Sequence, residues 1–309
     1  MPPNSPFHIK FLSWNISGWQ RKALDKDLTS FLSGYDIILL QETWSLTPPF
    51  IPGFSTFHIP AIKLNPKGRP AAGLCCLFQS SSLFTLSSIP SHSNYIQILL
   101  LQCNKFTILL FNLYIPPSAP SPNNYWTEIE NLANLHLRTH STASVLLMGD
   151  LNTRIGPNNI KLASHLKWDL ETSTPPWFNL ARSSKDQSIN AYAALLANLS
   201  LSLQVVILNG TVGRDIPGGY THFSVKGPSV IDYALASPIL LPFISDFFVE
   251  TRTDSDHLPL RLSLNLPVRP PPITPPLLVP HHALNGPLKL TLTFYHGHNC
   301  QRLLTLLIL

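Results

Sequence analysis

The sequence predicts an α/β protein in which two packed β-sheets are flanked by helices. Three observations indicate this class: short apolar runs outnumber segments with helical spacing, 44% of the 309 residues are hydrophobic, and only 12% are charged. So large an apolar fraction can form a buried core, whereas so little charge excludes a charged disordered chain and a coiled coil. We therefore expect one domain of this architecture over residues 1–266.

Apolar runs predict the strands, because a half-buried strand alternates with period two and a fully buried strand is apolar throughout. In chain order these runs are His8–Trp14, Asp36–Gln41, Gly73–Phe78, Tyr95–Leu101, Phe106–Tyr114, Ala143–Met148, Gln204–Leu208, Tyr220–Phe223, Val230–Ala236, Ile244–Glu250 and His257–Leu264.

Three segments are predicted to be helices. Leu24–Leu32 has apolar residues at helical spacing. Ser121 and Pro122 are typical of the N-cap and first position of a helix, which we expect to run to about Arg138. Ser188–Leu199 shows the third helical pattern. Strands thus outnumber helices, as two packed sheets require.

Residues 267–309 are predicted to be a proline-rich linker and a poorly structured tail. Eight prolines lie between Pro267 and Pro287, a density that opposes both helix and sheet. Asp256 is the last acidic residue, so the net charge of +5 partly reflects a tail without acids. The positive charge is accordingly weak support for nucleic-acid binding.

The sequence predicts an intracellular protein, nuclear or cytoplasmic, that is neither secreted nor embedded in a membrane. Its first residues lack the basic and apolar regions of a secretory signal, and no apolar run reaches the ~18 residues of a membrane span. The four cysteines contain no C-x-x-C pair, which favours a reducing compartment over a disulfide framework or a cysteine zinc site. We expect Cys75, Cys76 and Cys103 to be small core residues.

Six polar clusters lie where predicted strands begin or end. They are Trp14-Asn15, Gln41-Glu42-Thr43-Trp44, Asn112-Leu113-Tyr114, Gly149-Asp150-Leu151-Asn152, Ile231-Asp232-Tyr233 and Ser255-Asp256-His257. Any one of them could be an ordinary turn or cap. Together, however, they gather five of the 16 acidic residues in or beside them, and clustered carboxylates repel one another unless a cation or a histidine neutralises them.

In this order and at this spacing, the clusters resemble the motif set of the endonuclease/exonuclease/phosphatase superfamily over about residues 7–265. Within it, Leu113–Pro117, Gly149–Gly156 and Tyr220–Ser224 are most similar to the apurinic-type endonuclease domain of LINE-type (non-LTR) retrotransposons. The resemblance implies a four-layer α-β-β-α sandwich. It also implies hydrolysis of a phosphodiester with Mg²⁺, or with Mn²⁺ in its place, and the phosphate backbone of DNA as the partner.

The resemblance implies a metal ligand and a base. Glu42 would bind the metal, and a carboxylate oxygen suits Mg²⁺. Asp256 would assist at the metal or orient its neighbours. Asp150 would orient and deprotonate the attacking water, and Asn152 would position that water. Some relatives carry a further acidic ligand where this chain has Ser17, which leaves Glu42 as the one direct ligand that the resemblance assigns firmly.

The resemblance also implies groups that stabilise the phosphate. His257, held by Asp232, would stabilise the phosphoryl oxygens, while Asn15 and Tyr114 would donate hydrogen bonds to the phosphate or to the site. If the strands that carry Asp232 and His257 are neighbours in one sheet, the carboxylate can accept a hydrogen bond from one imidazole nitrogen and leave the other facing the phosphate.

Arg154, Thr221 and His222 are candidate substrate contacts. Arg154 follows the Asp-x-Asn motif and could bind a phosphate, although an ordinary surface arginine explains it equally well. Thr221 and His222 precede the Asp232 strand, and a plain strand or loop histidine is the simpler interpretation of His222.

Three functions remain open from the sequence. The first is a DNA-nicking endonuclease derived from a non-LTR retrotransposon, which would work with a reverse-transcriptase region that these 309 residues do not contain. The second is a phosphodiesterase or phosphatase of the same superfamily that acts on RNA, lipid or inositol phosphate. The third is a non-catalytic remnant of such an element. The intact motif set favours the first two over the third.

Overall fold

The computed structural model describes residues 7–63, 67–80, 84–103, 106–117, 122–157 and 182–267. Its strands are β1 (Phe7–Asn15), β2 (Ile37–Gln41), β3 (Phe54–Ile59), β4 (Leu74–Gln79), β5 (Thr85–Ile89), β6 (Ile96–Cys103), β7 (Phe106–Tyr114), β8 (Ser144–Asp150), β9 (Val206–Ile207), β10 (His222–Ser224), β11 (Gly227–Ser229), β12 (Asp232–Ala236), β13 (Ile244–Val249) and β14 (Leu260–Leu266). Its helices are α1 (Lys26–Leu32), α2 (Pro122–Thr139), α3 (Ala193–Leu203) and a 3-10 helix over Pro238–Phe243.

Two six-stranded mixed sheets confirm the predicted fold class. The first sheet has the strand order β13-β14-β1-β2-β4-β3, and the second has the order β5-β6-β7-β8-β12-β9. Each sheet is mixed because it contains one parallel pair, β1 with β2 and β7 with β8, within an otherwise antiparallel ladder. The strands β10 and β11 form a separate antiparallel hairpin.

The main core lies between the two sheets. The inner faces contribute fully buried side chains such as Phe11 and Leu39 from the first sheet and Leu110 from the second. On the outer face of the first sheet, α1 packs through Leu28 and Leu32. The helices α2 and α3 pack together on the outer face of the second sheet. The resulting order, helix–sheet–sheet–helix, is the sandwich that the sequence resemblance implies.

A buried amide chain joins the two sheets close to the strand ends. The Gln41 side chain at the end of β2 donates to Asn112 Oδ1 in β7 at 2.7 Å, and Asn112 Nδ2 donates to Gln97 Oε1 at 3.0 Å. Asn112 also donates to the carbonyls of Leu40 and Cys75 in the first sheet, each at 3.2 Å. Because buried amides must be paired, these bonds set how the two sheets lie against each other beneath the site.

Several element boundaries differ from the predictions. The predicted helix Ser188–Leu199 is observed as Ala193–Leu203, because Ser188 donates its N–H to the Asp186 carboxylate instead of entering a helix. The predicted strand Gln204–Leu208 shortens to β9, since Gln204 takes the left-handed conformation (φ 51°) that ends α3. Four elements were not predicted from the sequence, because their short or half-buried patterns lack a clear period: β3, β5, β11 and the 3-10 helix.

The three described cysteines are buried and unpaired, as expected for core residues. Cys76 faces the core between the sheets, whereas Cys75 faces α1 on the opposite side of β4. No helix within the described ranges is both long enough and apolar enough to span a membrane. Ser121, Cys300 and the predicted tail beyond Pro267 lie outside the described residues.

Candidate active site

Sheet topology brings the polar clusters to one end of the sandwich. In the second sheet, Tyr114, Asp150 and Asp232 are register partners on the adjacent strands β7, β8 and β12. In the first sheet, Asn15 at the end of β1 pairs with Gln41 at the end of β2, directly before Glu42. Because parallel neighbours end at the same edge, motifs far apart in the sequence converge there.

Gly149 permits the close contact of β7 and β8 next to Asp150. Its backbone has φ 148°, and a Cβ atom at this position would lie 2.0 Å from the Leu113 carbonyl oxygen. Any side chain would therefore push β8 away from β7 and displace Asp150. This requirement explains a glycine immediately before the buried aspartate.

The His257 imidazole is held by the Asp232 carboxylate. Its Nδ1 lies 3.0 Å from each Asp232 oxygen, and both side chains are buried. The predicted pairing assumed that the two strands are neighbours in one sheet, and that condition is wrong. Asp232 begins β12 in the second sheet, whereas His257 precedes β14 in the first sheet, so the hydrogen bonds cross the gap between the sheets.

The backbone at His257 is fixed from the first sheet. Its carbonyl accepts a hydrogen bond from Trp14 Nε1 at 2.9 Å, and its N–H donates to Ser255 Oγ at 3.2 Å. Antiparallel pairing with His222 adds bonds on both sides, since Phe223 donates to the Asp256 carbonyl at 2.8 Å and Leu258 donates to the Thr221 carbonyl at 2.7 Å.

Asp150 is buried between the His257 ring and the Asn15 amide. Its Oδ2 accepts a hydrogen bond from Asn15 Nδ2 at 2.9 Å and lies 3.9 Å from His257 Nε2. Its Oδ1 accepts the Asn152 backbone N–H at 3.0 Å. Burial, together with the Asp232 charge, raises the pKa of Asp150 to about 7, against the opposing effect of His257. This carboxyl can therefore exchange a proton near neutral pH.

His257 is a cation at neutral pH. Burial by itself lowers the pKa of His257, but the Asp232 and Asp150 carboxylates outweigh it and raise the value to about 10. The buried centre therefore consists of an imidazolium between two acidic side chains, a charge balance that makes its burial tolerable.

The Asn152 backbone is left-handed, and its side chain points back into the fold. Its φ is 47°, and its Nδ2 donates to the Ile115 carbonyl at 2.9 Å. The Asn152 carbonyl in turn accepts from Asn190 Nδ2 at 2.9 Å. The turn after β8 is thus held on both sides, next to Asp150.

Glu42 is partly exposed, whereas the neighbouring Tyr114 side chain is buried. Glu42 follows β2 in a left-handed conformation (φ 47°), and its Oε2 accepts a hydrogen bond from Trp44 Nε1 at 2.9 Å. The Trp44 ring is covered by the Arg69 guanidinium, 3.5 Å from its centroid. Burial and the nearby Glu42 and Asp150 carboxylates raise the pKa of Tyr114 well above its usual range, so its phenol stays a hydrogen-bond donor.

Asp256 is the exposed acid of the site. Its side chain is 54% exposed, and its Oδ1 accepts the Ser17 hydroxyl at 2.8 Å. Its Oδ2 lies 3.7 Å from His222 Nε2. Hydrogen bonding from His222, with Ser17 and the charge of His257, holds the pKa of Asp256 well below its usual range despite partial burial. Asp256 is therefore an ionised carboxylate at neutral pH.

The three predicted substrate contacts have different surroundings. Arg154 makes a two-point ion pair with Asp186, at 2.8 Å from Nε and 2.6 Å from Nη2. Thr221 is fully buried, and its hydroxyl accepts the backbone N–H groups of Ile231 and Asp232, each at 3.1 Å. Thr221 thus supports the start of β12 from inside the fold. Of the three, His222 lies against His257, with the two ring centroids 4.5 Å apart.

Two supporting residues carry no recognisable signal in the sequence. Asp186 binds Arg154 and also accepts the Val230 N–H at 3.0 Å, which ties the loop after β8 to the segment before β12. Asn209 donates to the Asp232 carbonyl at 3.2 Å and accepts the Ala234 N–H at 3.0 Å. A lone acid or amide in a polar loop gives no indication of such a role until the fold is known.

Two groups of three side chains in the described residues could surround a metal ion. Asp150, Asp232 and His257 form one group, and in each group the ligand-type atoms lie within 4.8 Å of one another. The second group comprises His222, Asp256 and His257. The members of the first group already bond within the protein, since His257 Nδ1 pairs with Asp232 and Asp150 accepts the Asn15 amide. Glu42, the predicted ligand, belongs to neither group.

Glu42 and Asp256 nevertheless fit a hard divalent cation. Both residues contact the loop after β1: the Glu42 backbone carbonyl accepts the Gly18 N–H at 2.8 Å, and the Asp256 carboxylate accepts the Ser17 hydroxyl at 2.8 Å. Neither side chain is fully buried. Carboxylates that remain open to water suit Mg²⁺, which keeps several waters when it binds to proteins.

Comparisons with known proteins agree with this geometry. The model of the endonuclease/exonuclease/phosphatase family matches residues 12–257. This range contains every residue of the site described above. A search of curated proteins found none that matches the sequence.

Solved structures of two nucleases share the fold. The AP endonuclease LMAP from Leishmania major has 17% sequence identity and a TM-score of 0.63, and the match covers 84% of this chain and 89% of that one. The endonuclease domain of TRAS1, a telomere-specific non-LTR retrotransposon, has 16% identity and a TM-score of 0.54, with coverage of 84% and 99%. At these identities the likeness establishes the architecture.

Proposed function

Because the chain belongs to the endonuclease/exonuclease/phosphatase family, we propose that it is a divalent-metal-dependent phosphodiesterase that nicks DNA. The observation that carries this proposal is the buried centre formed by Asn15, Asp150, Asp232 and His257. It places a positively charged imidazole beside a carboxyl group whose pKa is about 7. A hydrolase of phosphodiesters needs both functions, charge stabilisation and proton removal.

In the proposed reaction, Asp150 accepts a proton from the attacking water. A base is most effective when its pKa lies near the working pH, as the value of about 7 does. The hydrogen bond from Asn15 leaves Asp150 oriented and favours its ionised form. Water attack forms a new P–O bond, and the bond to the 3′ oxygen breaks. The leaving oxygen takes a proton from solvent water, which gives a 3′-hydroxyl and a 5′-phosphate.

His257 supplies positive charge where negative charge develops. Asp232 holds its Nδ1, so the opposite nitrogen, Nε2, is directed towards the site near Asp150. The ring is preorganised in both position and charge, and it stabilises the phosphoryl oxygens in the transition state without reorganisation. Tyr114, kept protonated by its surroundings, donates to the same phosphate.

Glu42 and Asp256 would hold the cation. When bound, a divalent ion supplies neutralisation of the charge on the phosphate and on the leaving oxygen. Trp44 orients the Glu42 carboxylate, and Ser17 orients that of Asp256. We propose Mg²⁺ as the physiological ion, with Mn²⁺ able to replace it, since both donors are hard oxygens.

DNA is the proposed substrate, and a non-LTR retrotransposon is the proposed origin. The resemblance of Gly149–Gly156 and Tyr220–Ser224 to such endonuclease domains supports both proposals. The two structural neighbours named above are themselves endonucleases, one of them from a retrotransposon. We further propose that the β10–β11 hairpin, which pairs with His257, lies beside the bound DNA.

The test is nicking of supercoiled plasmid by the full chain, with Mg²⁺, with Mn²⁺ and with EDTA. We expect nicked circles with either metal, none with EDTA, and a 3′-hydroxyl at the nick that a DNA polymerase can extend. His257→Ala, purified identically, is the control for contaminating nuclease. If the chain hydrolyses an RNA, lipid or inositol phosphate but does not nick DNA, DNA is not its substrate. If it hydrolyses none of these, a non-catalytic remnant is favoured.

A further inference from the structure

We propose that His222, Asp256 and His257 form a binding site for a borderline transition-metal ion such as Zn²⁺, a site that shares Asp256 but not Glu42 with the proposed Mg²⁺ ligands. The ligand-type atoms of these three side chains lie within 4.8 Å of one another. Two imidazoles and one carboxylate are a donor set that suits Zn²⁺ and poorly suits Mg²⁺, which takes oxygen ligands.

Both imidazoles are oriented as zinc ligands are. The Nδ1 atom of His257 is bound by Asp232 at 3.0 Å, and the Nδ1 atom of His222 is bound by Ser229 Oγ at 3.1 Å. Each ring therefore has its Nε2 left as the coordinating atom. Metal-bound histidines almost always have such a partner on the second nitrogen, which fixes the tautomer and the ring orientation.

The carboxylate is oriented in the same way. Ser17 donates to Asp256 Oδ1, and the other oxygen, Oδ2, faces His222 Nε2 at 3.7 Å. Ligands at bond lengths of about 2.0–2.1 Å around a tetrahedral ion are separated by roughly 3.3 Å. Only a small adjustment would bring these two atoms to that separation.

Local charge also favours a cation at this position. Two acidic side chains flank it, since Asp256 Oδ2 lies 3.7 Å from His222 Nε2 and Asp150 Oδ2 lies 3.9 Å from His257 Nε2. Binding displaces the proton from His257 Nε2 and releases it to the buffer, so the dication replaces a single positive charge between these carboxylates.

The consequence for catalysis rests on the proposed function. That function assigns Nε2 of His257 to the phosphoryl oxygens, and a metal ion on this nitrogen would block it. Zn²⁺ is therefore expected to inhibit the Mg²⁺-supported reaction, and to do so through His222, a residue that Mg²⁺ does not need.

The test is Co²⁺ binding to the full chain without DNA, followed by visible absorption and by displacement with Zn²⁺. Loss of the hydrogen-bond partner of a metal ligand typically weakens metal binding about 10–100-fold, so Ser229→Ala should weaken Co²⁺ binding by about 10-fold. His222→Gln removes a ligand itself and should weaken Co²⁺ binding by at least about 100-fold. His8→Gln, at an exposed histidine at the opposite end of β1 from Asn15, is the matched control. Glu42→Gln should retain the Co²⁺ spectrum, and circular dichroism should show that all four variants are folded.

Either of two results overturns the proposal: Co²⁺ affinity within threefold of the parent in His222→Gln, or loss of the spectrum in Glu42→Gln. Inhibition of nicking by Zn²⁺, normalised to each variant's own zinc-free rate, should weaken in parallel with Co²⁺ affinity. If the chain binds Co²⁺ through His222 but does not nick DNA, the proposed function fails and the metal site stands. If it nicks DNA without such binding, the metal site fails alone.

Discussion

The candidate site has two halves that are held in different ways. The imidazole half, Asn15, Asp150, Asp232 and His257, is buried and connected by hydrogen bonds of 2.9–3.0 Å that cross between the sheets. The carboxylate half, Glu42 and Asp256, is partly open, and each acid has hydroxyl or indole partners. A buried charge must be paired by the protein itself, whereas an exposed carboxylate keeps water that a cation can replace. The first half is thus preorganised by folding, whereas the second would be completed by the proposed ion.

The largest expected effect is in the imidazole half. His257→Ala should lower the single-turnover nicking rate by at least ~10²-fold, because it removes a positioned charge. Asp232→Asn should cause much of the same loss. The double variant should be little slower than either single one, because the two residues act as a unit.

The double variant gives the sharpest check of this pair. Rate losses that add fully in free energy would show that Asp232 and His257 act separately, and the pairing would have to be abandoned. Thermal unfolding of each variant should accompany the rates, since both side chains are buried.

The carboxylate half should respond to metal concentration instead. Glu42→Gln should slow nicking about tenfold or more at limiting Mg²⁺, and part of the loss should return at high Mg²⁺, since one ligand charge is missing. A Mg²⁺ titration of the nicking rate measures this. The assignment of Glu42 is wrong if the variant matches the parent at limiting Mg²⁺.

The imidazole half should also set the pH dependence of the rate. The pKa of Asp150 is about 7, so below that pH the base is protonated and inactive, and the rate should rise about tenfold between pH 6 and pH 8. His257 keeps its proton until its pKa of about 10, so this cation should be lost only at higher pH. Single-turnover rates at saturating Mg²⁺ measure the profile.

Asn15→Ala offers a control for this profile. The Asn15 amide favours the ionised form of Asp150, so its removal should shift the rising limb to higher pH. A flat profile between pH 6 and pH 8 in the parent would contradict the role of Asp150 as base.

A smaller effect is expected at Trp44, which supports the carboxylate half. Trp44→Phe keeps an aromatic ring under Arg69 but removes the hydrogen bond to Glu42. Loss of this hydrogen bond should weaken Mg²⁺ binding by about 0.5–1.5 kcal/mol and so raise the half-saturating Mg²⁺ concentration by about 2–10-fold. The rate at saturating Mg²⁺ should stay near that of the parent, and a fall there with unchanged Mg²⁺ dependence would argue against this positioning role.

The smallest effect should follow removal of the tail. The last strand, β14, ends at Leu266, and the predicted linker begins at the next residue. A chain ending at Leu266 should nick DNA within about threefold of the full chain, less than ~1 kcal/mol in barrier. Loss of activity from a folded truncated chain would show that the domain boundary is misplaced.

Most of the strands were predictable from the sequence alone, because a buried strand leaves an unbroken apolar run. Phe106–Tyr114 is observed with the predicted bounds, and the polar residues at such strand ends predicted a site. The motif order was sufficient to identify the family. Weakly patterned elements such as β3 and β5 were missed, because half-buried strands without strict alternation resemble loops.

Only the tertiary structure decided how the site residues meet. Asn15 and His257 come from the first sheet, while Asp150 and Asp232 come from the second, and their contacts exist because the two sheets pack with their polar ends aligned. Thr221 and Arg154 illustrate the same limit, since the side chains that surround them belong to distant segments. Periodicity along a chain records which face of each strand is buried. It carries no information on which other strand covers that face, because that choice is made by packing between residues far apart in sequence.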